Sequence, residues 1–455
     1  MDVSKLESYV LDRMSKTGIP GLSIALVSRE GIEYARGFGY RDIEHGLRAT
    51  PRTSYGIGSV TKSFTALAIM QLAEKGLLNP EDPIDKYISL GLKPKGEIIR
   101  IKHLLTHSSG LPALGYAEAL IRSVVGDDAT WLPIASPEDV ISFMAGAGDW
   151  AEAKPGEKFF YLNEGYVLLG HIVENVSKAP YEEYVRENIL EPLGMERSYF
   201  TKREFDQDPD KATPYLIDSE GKRLPSTYPF GISADGGLIS NVMDLARYLM
   251  MFLNKGELDG ARLLSEEGVE EMEEPRVPLP YEVFGGEAYG YGWIIVPNFL
   301  GRKLVGHSGS VLVSTAYAGY LPGEGLGVAV LANASGYPLS HIGLYALALA
   351  LGEDPEKLPF VKRDRLLDLL AGEYKTYMGA FKVNVVRKGD FLLMETRGRY
   401  IRQERPLVPE RLGEEEAVFF TLEHGRKITA EFRIREDGQV ELIFERYKFR
   451  KTGPA

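Results

Sequence analysis

Three short clusters of polar residues stand far apart in this chain of 455 residues, and each has the composition of a reaction centre. In Ser59-Val60-Thr61-Lys62 a hydroxyl and an amine lie three residues apart, a spacing that puts both on one face of a helix. The glycines Gly56 and Gly58 stop just before that helix, so Ser59 is expected in its first turn. There, unpaired N–H groups and the positive end of the helix dipole favour a developing negative charge. A buried lysine loses its proton near neutral pH and becomes a base for the serine. In Tyr161-Leu162-Asn163 a phenol is available as general base or acid, provided neighbouring positive charge lowers its pKa. Asn163, two residues on in an extended segment, would point the same way and hydrogen-bond Lys62 and a substrate amide. His307-Ser308-Gly309 is expected at the start of a strand. Glycine there lets a substrate backbone come close, and His307 positions a proton or a substrate oxygen. The N–H groups of Ser59 and Ser310 are the candidates for an oxyanion hole.

The elements needed to hold these groups are legible in outline. A first helix is expected over Ser4–Thr17, then the strands Gly21–Val27 and Ile32–Tyr40 joined across Arg29-Glu30-Gly31. The helix from Ser59 carries Leu67, Met70 and Leu72 and stops at Gly76. Another short helix follows around Ile101, and residues 113–160 read as loop and short helix. Further helices are expected over Tyr166–Val176, Tyr181–Ile189 and Asn241–Leu253, the last capped by Ser240. Strand character returns at Tyr291–Val296, Ser314–Tyr320 and Gly327–Asn333, with a helix over His341–Leu351 to cover them. Helices between early and late strands predict an α+β domain over residues 1–351, in which both ends of the domain meet in one antiparallel sheet.

Residues 352–370 read as a linker with a short helix at Asp364–Leu370. Residues 371–455 read as short alternating strands: Phe381–Val386, Phe391–Glu395, Ala417–Leu422, Lys427–Arg433 and Val440–Phe449. An antiparallel set of this kind, closed to remove its edges, predicts a small all-β barrel.

Composition narrows the function classes. The net charge of −12 argues against nucleic acid or an anionic membrane as partner, since both demand a basic footprint. There is no cysteine, hence no disulfide, thiolate metal site or cysteine nucleophile. The start of the chain, Met1–Tyr9, lacks an apolar signal core, which predicts a cytoplasmic protein. Glutamine occurs only at positions 71, 207, 403 and 439, and the chain is rich in Glu, Lys and Arg, a balance that points to a thermophilic source. His103 and His107 are four apart, a zinc-binding spacing, but Leu104 stands where the helical motif needs Glu and no third ligand is evident. No metal or cofactor is therefore expected. Ile57 and Thr61 flank Ser59 where an α/β-hydrolase elbow needs glycines. The aromatic run Tyr289-Gly290-Tyr291-Gly292-Trp293 suits a cleft wall and a sheet core equally.

The clusters, in this order, resemble the SxxK, YxN and HxG elements of the serine β-lactamase and penicillin-binding-protein superfamily. The likeness is to its class C-like branch, with D-aminopeptidases, DD-carboxypeptidases, esterases and CubicO-group peptidases. Leu104–Leu111, Glu191–Met195 and Gly236–Ser240 look like further family landmarks, so the resemblance covers about residues 1–350. A following lipocalin-like barrel resembles the archaeal CubicO-type peptidases. The resemblance implies that Ser59 is acylated, that Lys62 and Tyr161 share proton transfer, and that Asn163 with the His307 strand holds the substrate. One departure narrows it. His307 stands where the lactamases carry lysine, offering less charge to a substrate carboxylate and favouring peptidase and esterase relatives. The expected activity is a serine peptidase of aminopeptidase or carboxypeptidase type, acting on a peptide or a small amide or ester. A carboxylesterase and an acyl-binding sensor without turnover are the alternatives. The barrel is expected either to stabilise the chain or to build a homo-oligomer with inward-facing sites.

Overall fold

The structure is a computed structural model describing residues 1–126, 134–231, 233–400 and 402–454. Part of the expected 113–160 loop region, residues 127–133, thus lies outside the described residues. The chain divides into two compact units, Met1–Glu353 and Asp354–Ala455.

The first unit is built on a nine-stranded antiparallel sheet. Its order runs Val277–Pro278, Ala288–Tyr289, Ile294–Phe299, Arg302–Ser310, Thr315–Leu321, Leu326–Ala332, Gly21–Ser28, Ile32–Asp42 and Leu47–Arg48. Gly21–Ser28 pairs with Leu326–Ala332, so early and late strands of the unit do meet in one sheet. Every residue of Gly21–Ser28 except the last is buried, because helices cover both faces. Ala25, Val27, Ala329 and Leu331 join the core under Val242–Leu253. On the other face Leu339–Ala350 lies close enough that a Cβ on Gly343 would meet Val328.

The helix expected from Ser59 begins two residues later. Gly58–Val60 forms a 3₁₀ turn and Thr61–Glu74 the α-helix, buried at every position through Leu72. A helix buried on every face belongs in the middle of a domain, and Phe64 stacks on Tyr248 with ring centroids 3.8 Å apart. Two other boundaries differ for identifiable reasons. The helix Asn163–Ser177 starts at Asn163 itself, so that residue is not in an extended segment; Leu162 alone supplies the β-region turn into the helix. The helix Val242–Leu253 is capped by Asn241, not Ser240: the Asn241 Oδ1 accepts from the N–H groups of Met243 and Asp244 at 3.0 Å, while Ser240 Oγ pairs with Ser198.

The second unit is a closed eight-stranded antiparallel barrel. Its interior is filled by Tyr374, Val385, Leu392, Met394, Phe419, Phe432, Leu442 and Phe449. The helix Pro359–Leu370, expected inside a linker, adds Leu367 and Leu370 to this core. The strand Arg402–Leu412 was not foreseen, because Pro406, Pro409 and its charges suppress strand character. Only Leu407 of its eleven residues is buried, and Pro409 sits at a register shift where a missing N–H costs little. The expected strand Val440–Phe449 is instead the hairpin Val440–Phe444 and Tyr447–Gly453. Its turn places Glu445 at φ 51° without glycine, asparagine or proline to announce it.

Candidate active site

The three clusters converge on one cleft of about 520 Å³, lined among others by Ser59, Tyr161, Asn163, His307, Ser308, Gly309 and Ser310. Gly58 takes φ +50° to turn the chain, and both it and Ser59 of the 3₁₀ turn line the cleft. The strand Arg302–Ser310 is laid directly on that turn. A β-carbon on Gly309 would stand 2.0 Å from the Ile57 carbonyl oxygen and 2.8 Å from the Ser59 nitrogen; one on Gly58 would stand 2.6 Å from the Ser310 nitrogen. The close approach that demands glycine at 309 is therefore the protein's own backbone rather than a substrate's. The same approach brings the Ser59 and Ser310 nitrogens to one spot.

Lys62 is fully buried, and its Nζ lies 3.0 Å from Ser59 Oγ, 2.8 Å from Asn163 Oδ1 and 2.6 Å from the Asp235 carbonyl oxygen. Two of these partners are oxygens that only accept, and the third is a hydroxyl that can also donate. A neutral amine fits the set completely: it donates to Asn163 and Asp235 and receives the Ser59 proton on its lone pair. Burial drives the Lys62 pKa down to about 8, against the opposing pull of the Asp235, Glu118 and Glu164 carboxylates.

The Tyr161 hydroxyl is buried beside the Ser59 hydroxyl, with no other hydrogen-bonding group on it among the described residues. Burial raises its pKa, and the neighbouring Ser59 hydroxyl only partly offsets that rise. The expectation that positive charge lowers it is thus corrected: Lys62, 4.9 Å over the Tyr161 ring, contacts the π face and not the oxygen. Tyr161 is a neutral phenol, a proton donor before it is a base.

His307 also departs from expectation. It lies towards the end of its strand, six residues in, and both ring nitrogens are committed to protein. Nδ1 donates to the Ser308 carbonyl at 2.5 Å, which leaves Nε2 to accept from the Tyr289 hydroxyl at 2.9 Å. Burial, with Lys62 nearby, lowers its pKa to about 3. The ring is a neutral wall of the cleft and carries no proton to a substrate. Ser308 and Ser310 alternate to the exposed side of the strand.

Several participants escaped the sequence reading. The Tyr116 hydroxyl donates to Asp235 Oδ2 at 2.9 Å, and the Tyr116 N–H donates to Glu164 at 3.3 Å, so two buried carboxylates sit behind Lys62. Burial raises both of their pKa values. Each adjoins a residue that was noticed, Glu164 beside Asn163 and Asp235 beside the Gly236 landmark, and an acidic residue next to a catalytic motif was the available signal.

A serine hydrogen-bonded to a buried amine at the start of a core helix, beside an antiparallel sheet, is the arrangement of a serine hydrolase of the β-lactamase and penicillin-binding-protein type. Residues 6–352 match the Beta-lactamase family, and the chain belongs to that family. Residues 355–450 match the family described as the Pab87 octamerisation domain. The solved structure of the octameric penicillin-binding protein homologue from Pyrococcus abyssi is 52% identical with a TM-score of 0.94, and the match covers 99% of this chain and 100% of that one. A penicillin-binding protein from Bacillus halodurans is 25% identical with a TM-score of 0.62, over 75% of this chain and 99% of that one. Protein flp of Staphylococcus aureus strain MW2 is 28% identical over 332 residues, 72% of this chain and 62% of that protein. The chain thus spans about three fifths of the length of the curated relatives it matches. Among the described residues no helix is long and apolar enough to cross a membrane.

Proposed function

We propose that the protein is a serine peptidase that forms an acyl-enzyme on Ser59 and works as a cytoplasmic homo-oligomer. The observation that carries this reading is the Lys62 amine, held by two obligate acceptors and the Ser59 hydroxyl, with its pKa brought to about 8. Neutral Lys62 takes the Ser59 proton as Oγ attacks the substrate carbonyl carbon. The oxyanion forms between the N–H groups of Ser59 and Ser310. Tyr161, neutral and without another partner, gives its proton to the departing nitrogen as the C–N bond breaks, and is reprotonated from Lys62. Water then hydrolyses the ester and restores Ser59.

The strand edge favours a peptide. Pairing with Ile294–Phe299 ends at Ile294 opposite Gly306, so among the described residues no strand pairs with His307–Ser310 on that side. An extended substrate backbone fits such an edge as an added strand. Octameric assembly through the barrel, with sites facing inward, is supported by the octamerisation-domain match and by the octameric Pyrococcus homologue.

The test is a panel of D- and L-aminoacyl amides, short peptides and p-nitrophenyl esters, with light scattering on the same samples. Ser59→Ala is expected to fold and to lose both turnover and labelling by a fluorophosphonate. Wild-type activity in that variant overturns the reading, and turnover of esters alone makes the enzyme a carboxylesterase.

A further inference from the structure

His107, whose spacing from His103 suggested zinc, is buried behind Tyr161 and belongs to no metal cluster among the described residues. Its contacts instead surround one residue. Its carbonyl oxygen accepts from the Phe160 N–H at 2.8 Å, and its Nδ1 accepts from the Leu162 N–H at 3.0 Å. The two donors are the peptide groups of the residues on either side of Tyr161. The ring of His107 lies against the Tyr161 ring, centroids 4.1 Å apart and planes 31° apart. One side chain and its own carbonyl therefore fix Tyr161 from the front, the back and the ring face.

We propose that His107 is a positioning residue that aims the Tyr161 hydroxyl at Ser59, an inference that rests on the proton-transfer role given to Tyr161 above. Two features of His107 are costly to the fold and find their reason in this task. Its backbone takes φ +53°, a left-handed conformation that is strained in a non-glycine residue. Because Nδ1 accepts, the ring proton sits on Nε2, which is buried without a hydrogen-bond partner. The ring is further flanked by those of Tyr289, Tyr166 and Phe159, at 4.7, 5.0 and 5.8 Å between centroids. Asparagine would tolerate the left-handed backbone, and its Oδ1 occupies the place of Nδ1, so capping the Leu162 N–H does not by itself call for histidine. What asparagine lacks is the ring against Tyr161. Neutrality belongs to the same design: burial holds the His107 pKa well below its usual value, and a second cation beside Lys62 would repel it.

The inference is tested by turnover of the aminoacyl amide or peptide that the panel above finds to be hydrolysed, resolved into kcat and KM, in a double-mutant cycle with Tyr161→Phe. His107→Asn keeps the acceptor and loses the ring; His107→Phe keeps a ring and loses the acceptor. Each is expected to lower kcat about tenfold with KM unchanged, since a misplaced proton carrier costs rate and not affinity. In the Tyr161→Phe background the same changes are expected to cost less than about twofold, because the group that His107 positions is already gone. Equal losses in both backgrounds, or wild-type kcat in folded His107→Asn, overturn the inference alone. A Tyr161→Phe protein that turns the amide over at the wild-type rate overturns the role of Tyr161 itself, and this inference with it. Circular dichroism and the melting temperature establish folding, and either His107 variant carries the test if the other fails to fold.

Discussion

The two units treat polar groups in opposite ways. The first buries Lys62, Asp235, Glu164, His107 and His307 among aromatic side chains, leaves the His107 Nε2 without a hydrogen-bond partner, and shifts pKa values by desolvation. The barrel alternates cleanly, as in Glu416–Glu423 where Ala417, Phe419 and Thr421 point inward, and its few buried carboxylates are paired at once: Asp364 with Arg387, Glu395 with Arg397. Local rules are kept where a domain only has to fold, and are broken where a domain has chemistry to perform. The contrast gathers the desolvated titratable groups around Ser59 and leaves the buried carboxylates of the barrel in ion pairs.

Glycine substitution breaks that comparison most sharply. A β-carbon on Gly309 overlaps the Ile57 carbonyl and pushes the strand off the Ser59 turn, separating the two nitrogens proposed to hold the oxyanion. Gly309→Ala is expected to lower fluorophosphonate labelling of Ser59 by at least about 100-fold, the scale of a lost oxyanion donor. Gly453→Ala, in the barrel, meets nothing within 4 Å and is expected to leave labelling unchanged. Equal effects at the two positions would refute the asymmetry.

Lys62 gives the next largest effect. Its amine is the base only when neutral, so the labelling rate is expected to rise about tenfold per pH unit below about pH 8 and to level off above it. His307 and His107 stay neutral throughout this range and add no limb of their own. A rate that is flat from pH 6 to 9 would remove Lys62 from the role.

Much of this contrast was legible beforehand, and the illegible part has a physical pattern. Ser59, Lys62, Tyr161, Asn163, His307, Ser308, Gly309 and Ser310 were all singled out from residue type and spacing, and all eight meet at one cleft or stand in hydrogen-bond contact with it. Directions were not legible. Burial decides whether Tyr161 is an acid or a base, and hydrogen bonding to Tyr289 and Ser308 decides that His307 is a wall; neither is written in local sequence. His107 shows the limit most clearly, because a helical spacing suggests a metal while the contacts that matter are made to residues 160 and 162. In the barrel the misses fall on Arg402–Leu412 and the Glu445 turn, where prolines in a strand and a left-handed glutamate run against propensity.

Acid should separate the units by stability. His107 and His307 stay neutral when folded but bind protons once unfolded, below about pH 6.5, so the first unit loses stability as pH falls through that value. Each contributes about 1.4 kcal/mol per pH unit at most, and His103, held to about 4, adds to them. The carboxyls of Asp235 and Glu164, raised by burial, act in the opposite sense, adding stability as pH falls through their raised values, so the net fall of the first unit is smaller than the histidines alone would give. The barrel has one histidine, His424, exposed at a turn. Calorimetry of the full chain is expected to show the transition of the first unit falling as the pH drops below about 6.5 while the barrel's stays in place; parallel movement would contradict the assignment.

Glu441 provides the smallest and most local test. Its side chain is 1% exposed, yet it receives Arg435 and Lys448 at 2.8 Å each and Arg450 at 3.3 Å, an anion shared among three cations on neighbouring strands. The bond from Arg435, then that from Lys448, lowers its pKa to about 2, so it is charged at neutral pH. Glu441→Gln keeps the shape and leaves three cations facing one another. Most of that repulsion is relieved by solvent, because the cations themselves are about half exposed or more. The barrel transition is expected to fall by a few degrees, on the order of 2–5 °C, with Ser59 labelling unchanged. A loss of labelling without any fall in the barrel transition would show that this carboxylate serves the reaction centre, and the division between a unit of desolvated groups and one of ion pairs would fail at the position where the barrel concentrates most charge.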